Sequence, residues 1–597
     1  MTQSNSSLAE AIACLDRGDV AAALALAEAV LGEQGDSANL RHLLGVACCR
    51  LGKLDAGIDH LERAAQLAPD DPAILMLLMR ALIDGGRPRD ALTRPFNAAG
   101  LAPSALLGLW RTRAEAAHHA GDASIEAEAL ERAVVLNPAD IRAREHLVGL
   151  LLSLDRPAAA LAHLEEVPVS RLSERAKSTA LSALLRLDEA AAIDDGLLGE
   201  DPQDREAWLS LVMLGDRQGN LARLNSMLDW GEQHNYDRDE NNFTRALIAK
   251  QEGRTDEALA LAKSSTVPSD PARSFAIIAS LADRLGQADE AFAAATSKAE
   301  LTVGYERWRR RGAAHRENLK RISGEITPDW AARWIAAPPL VRPAPAFLVG
   351  FPRSGTTLLD TFLMGHRDVV VIEEGPMLDA AAQTIGDLAN LDRADASMIE
   401  RARSAYFAEL DRHVPSSSAL SSLVIDKLPL AMTGASLIHR LFPNAKFIFA
   451  RRHPADAVLS NFLQAFRMND AMANFLDLED AAQFYDTSMH LWTRTCEVLL
   501  LDVHHLTYEK LVEDPSVTLR PLVEWLGLNW DEALLDHRRT AADRGVIVTP
   551  SYDQVIQPIH RRSSGRWQRY ARYLAPVLPL LDPWARHLGY APIFPKT

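Results

Sequence analysis

A loop bounded by glycines in the second half of the chain has the residue types that hold a phosphate group. Residues 350–357 read Gly-Phe-Pro-Arg-Ser-Gly-Thr-Thr, between an apolar run at 346–349 and a helical pattern that begins at Leu358. A strand, a glycine loop and a helix in this order point backbone amides and a helix N-terminus into one cavity, which favours an anion. Arg353 is the only cation of the loop. The segment therefore predicts a nucleotide site.

Two further apolar runs end in side chains that can act on a reacting group. The run 368–372 leads into Glu373 and Glu374. Either carboxylate can serve as general base for a phenol, whose own pKa is about 10, unless the pair is a solvated sheet edge. Another run ends in Asp426 and Lys427. A fixed cation there would stabilise a leaving group in the transition state, whereas the aspartate could instead coordinate magnesium.

A second anion site is predicted one strand, loop and helix further along the chain. The run 445–450 leads into Arg451 and Arg452, a proline then starts a helix, and Ser460 lies 8 residues after Arg452. A dianion needs a bidentate guanidinium and a hydroxyl donor, and Arg452 and Ser460 supply both. Arg451 could share the role. Of the features in the chain, this pair best distinguishes a ligand with a second anionic group from one without it.

The loop at 350–357 resembles the 5′-phosphosulfate loop of sulfotransferases that use 3′-phosphoadenosine 5′-phosphosulfate (PAPS), in the Pro-Arg-Ser-Gly-Thr-Thr form of the tyrosylprotein branch. The resemblance extends from about residue 346 to 570. It implies a P-loop-like three-layer α/β domain with a parallel sheet. It also implies transfer of a sulfuryl group from PAPS to a hydroxyl acceptor, with protein tyrosine as one acceptor class and no metal.

The resemblance further implies roles for individual residues. Glu374 lies 21 residues after Arg353, a separation similar to that between the loop arginine and the base of the family. Lys427 would face the bridging oxygen of the leaving nucleotide, and Arg452 with Ser460 would hold the 3′-phosphate. The predicted catalytic residues are Glu374, Arg353, Lys427 and Ser551, and the predicted donor-binding residues are Arg353, Ser354, Gly355, Thr356, Thr357, Arg452, Ser460, Tyr508 and Arg566.

The acceptor and two rival functions stay open. Gln464 and Pro376 stand where the tyrosylprotein branch has arginines, which puts the acceptor in doubt. One rival is a P-loop kinase or nucleotide hydrolase that uses Asp426 for magnesium, although Thr356 replaces the lysine of a Walker loop. The other rival is a binding scaffold whose sulfotransferase-like domain is inactive.

The first half of the chain repeats with a period of 34 or 35 residues. The marks of this period are Gly18, Gly52, Gly86, Gly121 and Asp155. Five residues after each mark stands a small residue, with Glu126 as the exception, and the period returns at Gly253 and Gly286 but fits poorly over 165–245. The pattern resembles the tetratricopeptide repeat (TPR), which implies stacked helix pairs and a groove for a protein or peptide acceptor or partner.

Composition and charge narrow the class of protein further. The net charge of −16 argues against general binding to nucleic acid, and the apolar stretches are too short to span a membrane. The 4 cysteines and 18 histidines show no metal-binding spacing, so no metal is predicted. The N-terminus shows no secretory signal, which predicts a cytoplasmic protein. We predict a TPR-like α-solenoid over 1–300, a helical and Pro-rich linker over 301–342, and a sulfotransferase domain over 343–597.

Overall fold

A computed structural model of the protein describes residues 2–265, 267, 270–414, 423–544, 559 and 561–594. The chain divides into two compact units, an N-terminal unit of Met1–Asp201 and a C-terminal unit of Pro202–Thr597. This division lies inside the repeat region, so the last repeats belong to the same unit as the sheet described below. The domain bounds at 300 and 343 stay a prediction from the sequence.

The N-terminal unit consists of helices that pack against their neighbours along the chain. They are α1 (Thr2–Asp16), α2 (Val20–Gln34), α3 (Ala38–Arg50), α4 (Leu54–Leu67), α5 (Pro72–Asp84), α6 (Pro88–Leu92), α7 (Pro103–Ala120), α8 (Ala123–Leu136), α9 (Ile141–Ser153), α10 (Pro157–Leu164), α11 (Arg171–Ala183) and α12 (Leu187–Glu200). Small residues let these helices approach closely. A Cβ atom on Gly57 of α4 would lie 2.5 Å from the Sγ atom of Cys49 in α3.

The C-terminal unit begins with helices of the same kind. They are α13 (Arg205–Gln218), α14 (Leu221–Gln233), α15 (Arg238–Gln251), α16 (Thr255–Lys263), α17 (Pro271–Arg284) and α18 (Ala288–Glu300). One residue with a left-handed backbone joins the two helices of each pair: Gly18, Gly52, Gly86, Gly121, Asp155, Leu185, Gly219, Gly253 and Gly286. The repeat therefore continues through 165–245, where the sequence shows little of it because Leu185, with φ 62, takes the place of a glycine.

A parallel sheet follows the repeats. Its strands are β1 (Ala346–Val349), β2 (Val369–Glu373), β3 (Leu423–Lys427), β4 (Lys446–Arg451) and β5 (Asp502–Thr507). Within the described residues their order is β2-β3-β1-β4-β5, and every neighbouring pair is parallel. The loop after β1 therefore leaves the carboxyl edge at the centre of the sheet, which is where open parallel sheets bind their ligands.

Helices cover both faces of this sheet. They are α19 (Tyr305–Glu325), α20 (Pro328–Ala332), α21 (Thr356–Met364), α22 (Met377–Ile385), α23 (Ala396–His413), α24 (Ala435–Leu441), α25 (Pro454–Leu463), α26 (Leu478–Leu499), α27 (Tyr508–Glu513), α28 (Pro515–Leu526), α29 (His537–Arg544), α30 (Ala571–Leu574) and α31 (Leu578–His587). Phe347 of β1 packs in a core with Tyr406 of α23, whereas the next residue, Leu348, packs in another with Leu359 of α21 and Leu519 of α28. The predicted three-layer α/β fold is confirmed.

The predicted linker, 301–342, is largely helical and packs on the sheet domain. Arg316 of α19 is buried and donates to Oδ1 of Asp480 at 2.8 Å. The buried indole of Trp330 donates to the carbonyl of Ala389 at 3.2 Å. Among the helices that the structure describes, none combines the length and the apolar character that a membrane crossing requires.

Candidate active site

The loop at 350–357, here called the phosphate loop, is shaped by two glycines that have no room for a side chain. A Cβ atom on Gly350 would lie 2.4 Å from the carbonyl oxygen of Ala450, at the end of β4. Gly355, with φ 92, precedes the first residue of α21, and a Cβ atom there would lie 2.4 Å from the ring of Tyr508. The two glycines therefore let the loop pack closely against the end of β4 and against Tyr508, at the N-terminus of α21, where backbone N–H groups favour an anion.

Three guanidinium groups converge beside the phosphate loop. Nε of Arg353 donates to Oγ of Ser460 at 3.3 Å, and Arg452 donates to the carbonyl of Arg353 at 2.9 Å. The guanidinium of Arg452 also lies 4.9 Å from the ring centroid of Tyr508. Burial, together with the charges of Arg452 and Arg566, lowers the pKa of Arg353 to about 9. Like charges gathered in this way favour a bound anion.

Two buried polar side chains of α25 hold the segments that carry this cluster. Nδ2 of Asn461 donates to the carbonyl of Pro352 at 2.8 Å. The carboxylate of Asp456 accepts two backbone N–H groups, each at 2.7 Å, from the segment 565–567 that contains Arg566. Sequence reasoning misses both residues, because their partners lie 109 or more positions away along the chain.

The repeat region contributes a carboxylate to the same cluster. The guanidinium of Arg566 lies 2.8 Å from Oδ2 of Asp283, in the last turn of α17. The hydroxyl of Tyr570 donates to Oδ1 of Asp283 at 2.7 Å. The Arg566 and Asp283 side chains are only 10% and 15% exposed, so this ion pair is largely screened from water. A repeat helix therefore fixes the side chain that the sequence assigns to the nucleotide.

A second repeat helix, α18, supports the end of α25. Lys298 is buried, and its ammonium group donates to the carbonyls of Phe462 at 2.8 Å and Gln464 at 2.7 Å. Burial lowers the pKa of Lys298 to about 7. The repeats therefore contact Arg566 through Asp283 and, through Lys298, the end of the helix that carries Ser460.

Lys427 lies among three carboxylates at the carboxyl edge of β2 and β3. Its Nζ atom is 2.9 Å from Glu373, 3.2 Å from Glu374 and 3.3 Å from Asp360. Glu374 is 34% exposed, whereas Glu373 is 7% exposed and both Asp360 and Lys427 are fully buried. Glu374 also has a left-handed backbone, with φ 47. Of these three carboxylates, Glu374 is the one that an incoming hydroxyl can reach.

The structure brings most of the predicted site residues together. The phosphate loop meets the end of β3 through the N–H of Gly350, which donates to the carbonyl of Pro429 at 3.0 Å. The side chains of Ser354, Thr356 and Thr357 are buried at the loop. Ser551 lies outside the described residues. The sequence-predicted residues gathered at this edge are Arg353, Ser354, Gly355, Thr356, Thr357, Glu374, Lys427, Arg452, Ser460, Tyr508 and Arg566.

Asp426 faces away from this edge, although it is the residue before Lys427. Successive residues of a strand point to opposite faces of a sheet. Lys427 pairs with Asp360 of α21, whereas Asp426 accepts a hydrogen bond from the hydroxyl of Tyr406 at 2.7 Å in the core on the other face. Burial raises the pKa of Asp426 to about 7. This position does not suit the magnesium ligand of a P-loop kinase.

Comparison with known proteins gives two matches along the chain. A model of the sulfotransferase family matches residues 345–532, and a tetratricopeptide repeat model matches residues 50–94. The chain therefore combines a TPR region with a sulfotransferase-family domain, as the motifs predict. The sulfotransferase match includes the phosphate loop and Glu374, Lys427, Arg452 and Ser460.

Several similar proteins are themselves sulfotransferases. Protein-tyrosine sulfotransferase 1 of Danio rerio is 28% identical over 277 residues, which cover 41% of this chain and 74% of that enzyme. An uncharacterized protein of Aquifex aeolicus is 28% identical over 314 residues, 49% of this chain, and the chain spans only 39% of its length. The solved sulfotransferase domain from the curacin biosynthetic pathway is 19% identical over 39% of this chain and 98% of that domain, with a TM-score of 0.23.

Replacing Asp426 by Asn should change stability but not nucleotide binding. The raised pKa, about 7, means that the folded chain holds the Asp426 proton more tightly than the unfolded chain does. The free energy of unfolding should therefore fall as pH rises from about 4 to about 7, by about 2 to 4 kcal/mol from this group. Asp426→Asn should remove that fall in urea unfolding measured across this range. Loss of nucleotide affinity in the variant would instead show that Asp426 takes part in nucleotide binding.

Proposed function

We propose that the chain transfers a sulfuryl group from PAPS to a hydroxyl group of a protein or peptide, with tyrosine as the acceptor residue. The proposal that PAPS is the sulfuryl donor rests on one observation, the convergence of Arg353, Arg452 and Arg566 beside the phosphate loop. A ligand with two separate anionic groups suits this cluster better than a single phosphate does. Burial, followed by the charges of Arg452 and Arg566, lowers the pKa of Arg353 to about 9, and a bound anion would offset both effects.

The described residues divide naturally over the two ends of such a donor. The backbone N–H groups of 353–357 would hold the 5′-phosphosulfate, because these residues lead into the N-terminus of α21. Arg452 and Ser460 would hold the 3′-phosphate, and Tyr508 would lie against the nucleotide. PAPS, when bound, would supply the sulfuryl group. Arg566 would add a cation whose direction is set by Asp283 and Asp456.

The carboxylates around Lys427 supply the proton chemistry in this proposal. Glu374 accepts the proton of the acceptor hydroxyl while the oxygen of that hydroxyl forms a bond to sulfur. The bond between sulfur and the bridging oxygen of the donor breaks, and Lys427 and Arg353 offset the charge that develops on this oxygen. Glu373 is less exposed and closer to Lys427, so its role here is to hold the ammonium group in place.

A protein or peptide acceptor is favoured by two observations of different kinds. Stacked helical repeats commonly hold extended peptides in their concave surface. The Danio rerio enzyme named above, to which the chain is 28% identical, is a protein-tyrosine sulfotransferase. Gln464 and Pro376 replace two arginines of that branch, so the residues that select the peptide are expected to differ in this chain.

Arg452→Ala in the full chain should weaken binding of 3′,5′-bisphosphoadenosine by about 1.5 to 3 kcal/mol, the scale of a hydrogen bond to a charged group. Binding of adenosine 5′-phosphate, which lacks the 3′-phosphate, should change far less in the same calorimetric titrations. Arg451→Ala is the matched control, because Nε of Arg451 donates to Oγ1 of Thr507 at 2.8 Å. An equal loss for both nucleotides would show that Arg452 does not read the 3′-phosphate.

Glu374→Gln should lower turnover of a tyrosine peptide by about 10² to 10⁴, because the amide keeps the shape of the side chain and removes its basicity. Affinity for the bisphosphate nucleotide should hold. Glu373→Gln, measured at the same saturating substrate concentrations, is the internal control and should have a much smaller effect. Should Glu373→Gln lose its turnover while Glu374→Gln keeps it, the base is Glu373.

Asp283→Ala tests whether the repeats hold the donor site. Loss of this carboxylate releases Arg566 and Tyr570, so affinity for 3′,5′-bisphosphoadenosine should fall by about 5- to 30-fold, equivalent to about 1 to 2 kcal/mol. Asp289→Ala is the control. Asp289 also lies on a repeat helix, α18, and pairs with Arg572, but both of these side chains are more than 60% exposed. Unchanged or tighter binding in Asp283→Ala would contradict the positioning role.

A further inference from the structure

Three potential metal ligands meet in the N-terminal unit, far along the chain from the sulfotransferase domain. His118 lies in the last turn of α7, Glu126 in the first turn of α8, and His146 in α9. Their ligand atoms all lie within 4.8 Å of one another. The sequence predicts no metal because spacings of 8 and 20 residues match no metal motif, yet the helix pairs bring the three side chains together. We call them the His–Glu–His cluster.

Glu126 occupies a position that other repeats fill with a small residue. The residues in the corresponding place after Gly18, Gly86 and Asp155 are alanines that are fully buried. Glu126 is 4% exposed, so its carboxylate lies where apolar packing is the rule. A carboxylate is removed from water at a large cost unless a cation or hydrogen-bond donors compensate it. An acidic side chain in this place therefore requires an explanation.

The ionisable partners of Glu126 are imidazoles. Nδ1 of His118 and Nε2 of His146 each lie 3.0 Å from Oε1 of Glu126. Among the described ion pairs of Glu126, neither a lysine nor an arginine occurs. Two imidazole nitrogens and one carboxylate oxygen form a donor set that binds zinc and other first-row divalent metals.

The distances suit a single ion bound by all three side chains. Zinc binds imidazole nitrogen and carboxylate oxygen at about 2.0 to 2.2 Å, so tetrahedral ligands lie about 3.3 to 3.5 Å apart. The observed separations of 3.0 Å need only a small outward movement of the rings. Both rings have solvent on one side to move into, since the side chains of His118 and His146 are 64% and 50% exposed.

We propose that the His–Glu–His cluster binds a divalent transition metal ion of the zinc class. The ion would link α7, α8 and α9, and thereby fasten two consecutive repeats to each other. It would neutralise the buried carboxylate of Glu126. Three protein ligands leave a fourth position, on the exposed side of the rings, for water or a ligand atom of a partner.

The test uses the full chain without an affinity tag, freed of metal by a chelator and titrated with Zn²⁺ and Co²⁺. We expect one tight equivalent by calorimetry, visible absorption bands of tetrahedral Co²⁺, and a higher unfolding temperature with Zn²⁺ because the unfolded chain has no assembled site. His118→Ala and His146→Ala should each weaken Zn²⁺ binding by at least about 100-fold, more than loss of an outer-shell partner does.

Two further variants keep the proposal open to refutation. His119→Ala, next to His118 but with its Nδ1 bonded to the carbonyl of Glu115 at 2.9 Å, should leave Zn²⁺ affinity unchanged. Glu126→Ala restores the small residue of the other repeats, so it should fold and lose the Co²⁺ bands. No Zn²⁺ binding by the unaltered chain, or binding that survives both Glu126→Ala and His146→Ala, would overturn the proposal. Either result is independent of the sulfotransferase activity.

Discussion

The sulfotransferase-family domain depends on holding like charges together. Burial, together with the charges of Arg452 and Arg566, lowers the pKa of Arg353 to about 9, which means that the fold holds this guanidinium at a cost in free energy. Contacts from distant parts of the chain offset this repulsion: Asp456 holds the segment around Arg566, and Asn461 holds the loop before Arg353. At the end of β3 the excess charge is negative, because one ammonium group, that of Lys427, lies among three carboxylates. An arginine cluster and a carboxylate cluster thus lie at the same edge of the sheet.

The sequence predicts those parts of the site whose backbone conformation and functional residue types both lie within one short segment. The phosphate loop is an example, because Gly355 is required both by its left-handed backbone and by its contact with Tyr508. Asp456 and Asp283 escape prediction, since each acts on a partner that folding alone brings near. A carboxylate in a helix has no distinguishing pattern when its hydrogen-bond donors lie more than 100 residues away.

The repeat region is harder to predict from the sequence for a different reason. What its units share is a left-handed residue between two helices, and glycine is only the commonest residue with that conformation. Asp155 and Leu185 adopt it at φ 58 and φ 62, so the period weakens in the sequence although it persists in the structure. The interval between these two is 30 residues rather than 34. Of the helices between them, α10 spans only the 8 residues Pro157–Leu164.

Lys298 of the repeats donates hydrogen bonds to the end of a helix of the sheet domain. The last carbonyls of an α-helix have no partner within the helix, and a cap normally comes from residues that follow directly in the chain. For α25 the donor comes from α18, more than 160 positions earlier, through Phe462 and Gln464. The N–H of Gln464 also makes a local cap, to the carbonyl of Asn461 at 3.2 Å, so the repeat adds a second, distant set of hydrogen bonds to the end of the helix that carries Ser460. A protein cut between residues 300 and 343 would lose Lys298, and the carbonyls of Phe462 and Gln464, two and four residues after Ser460, would then lack this donor.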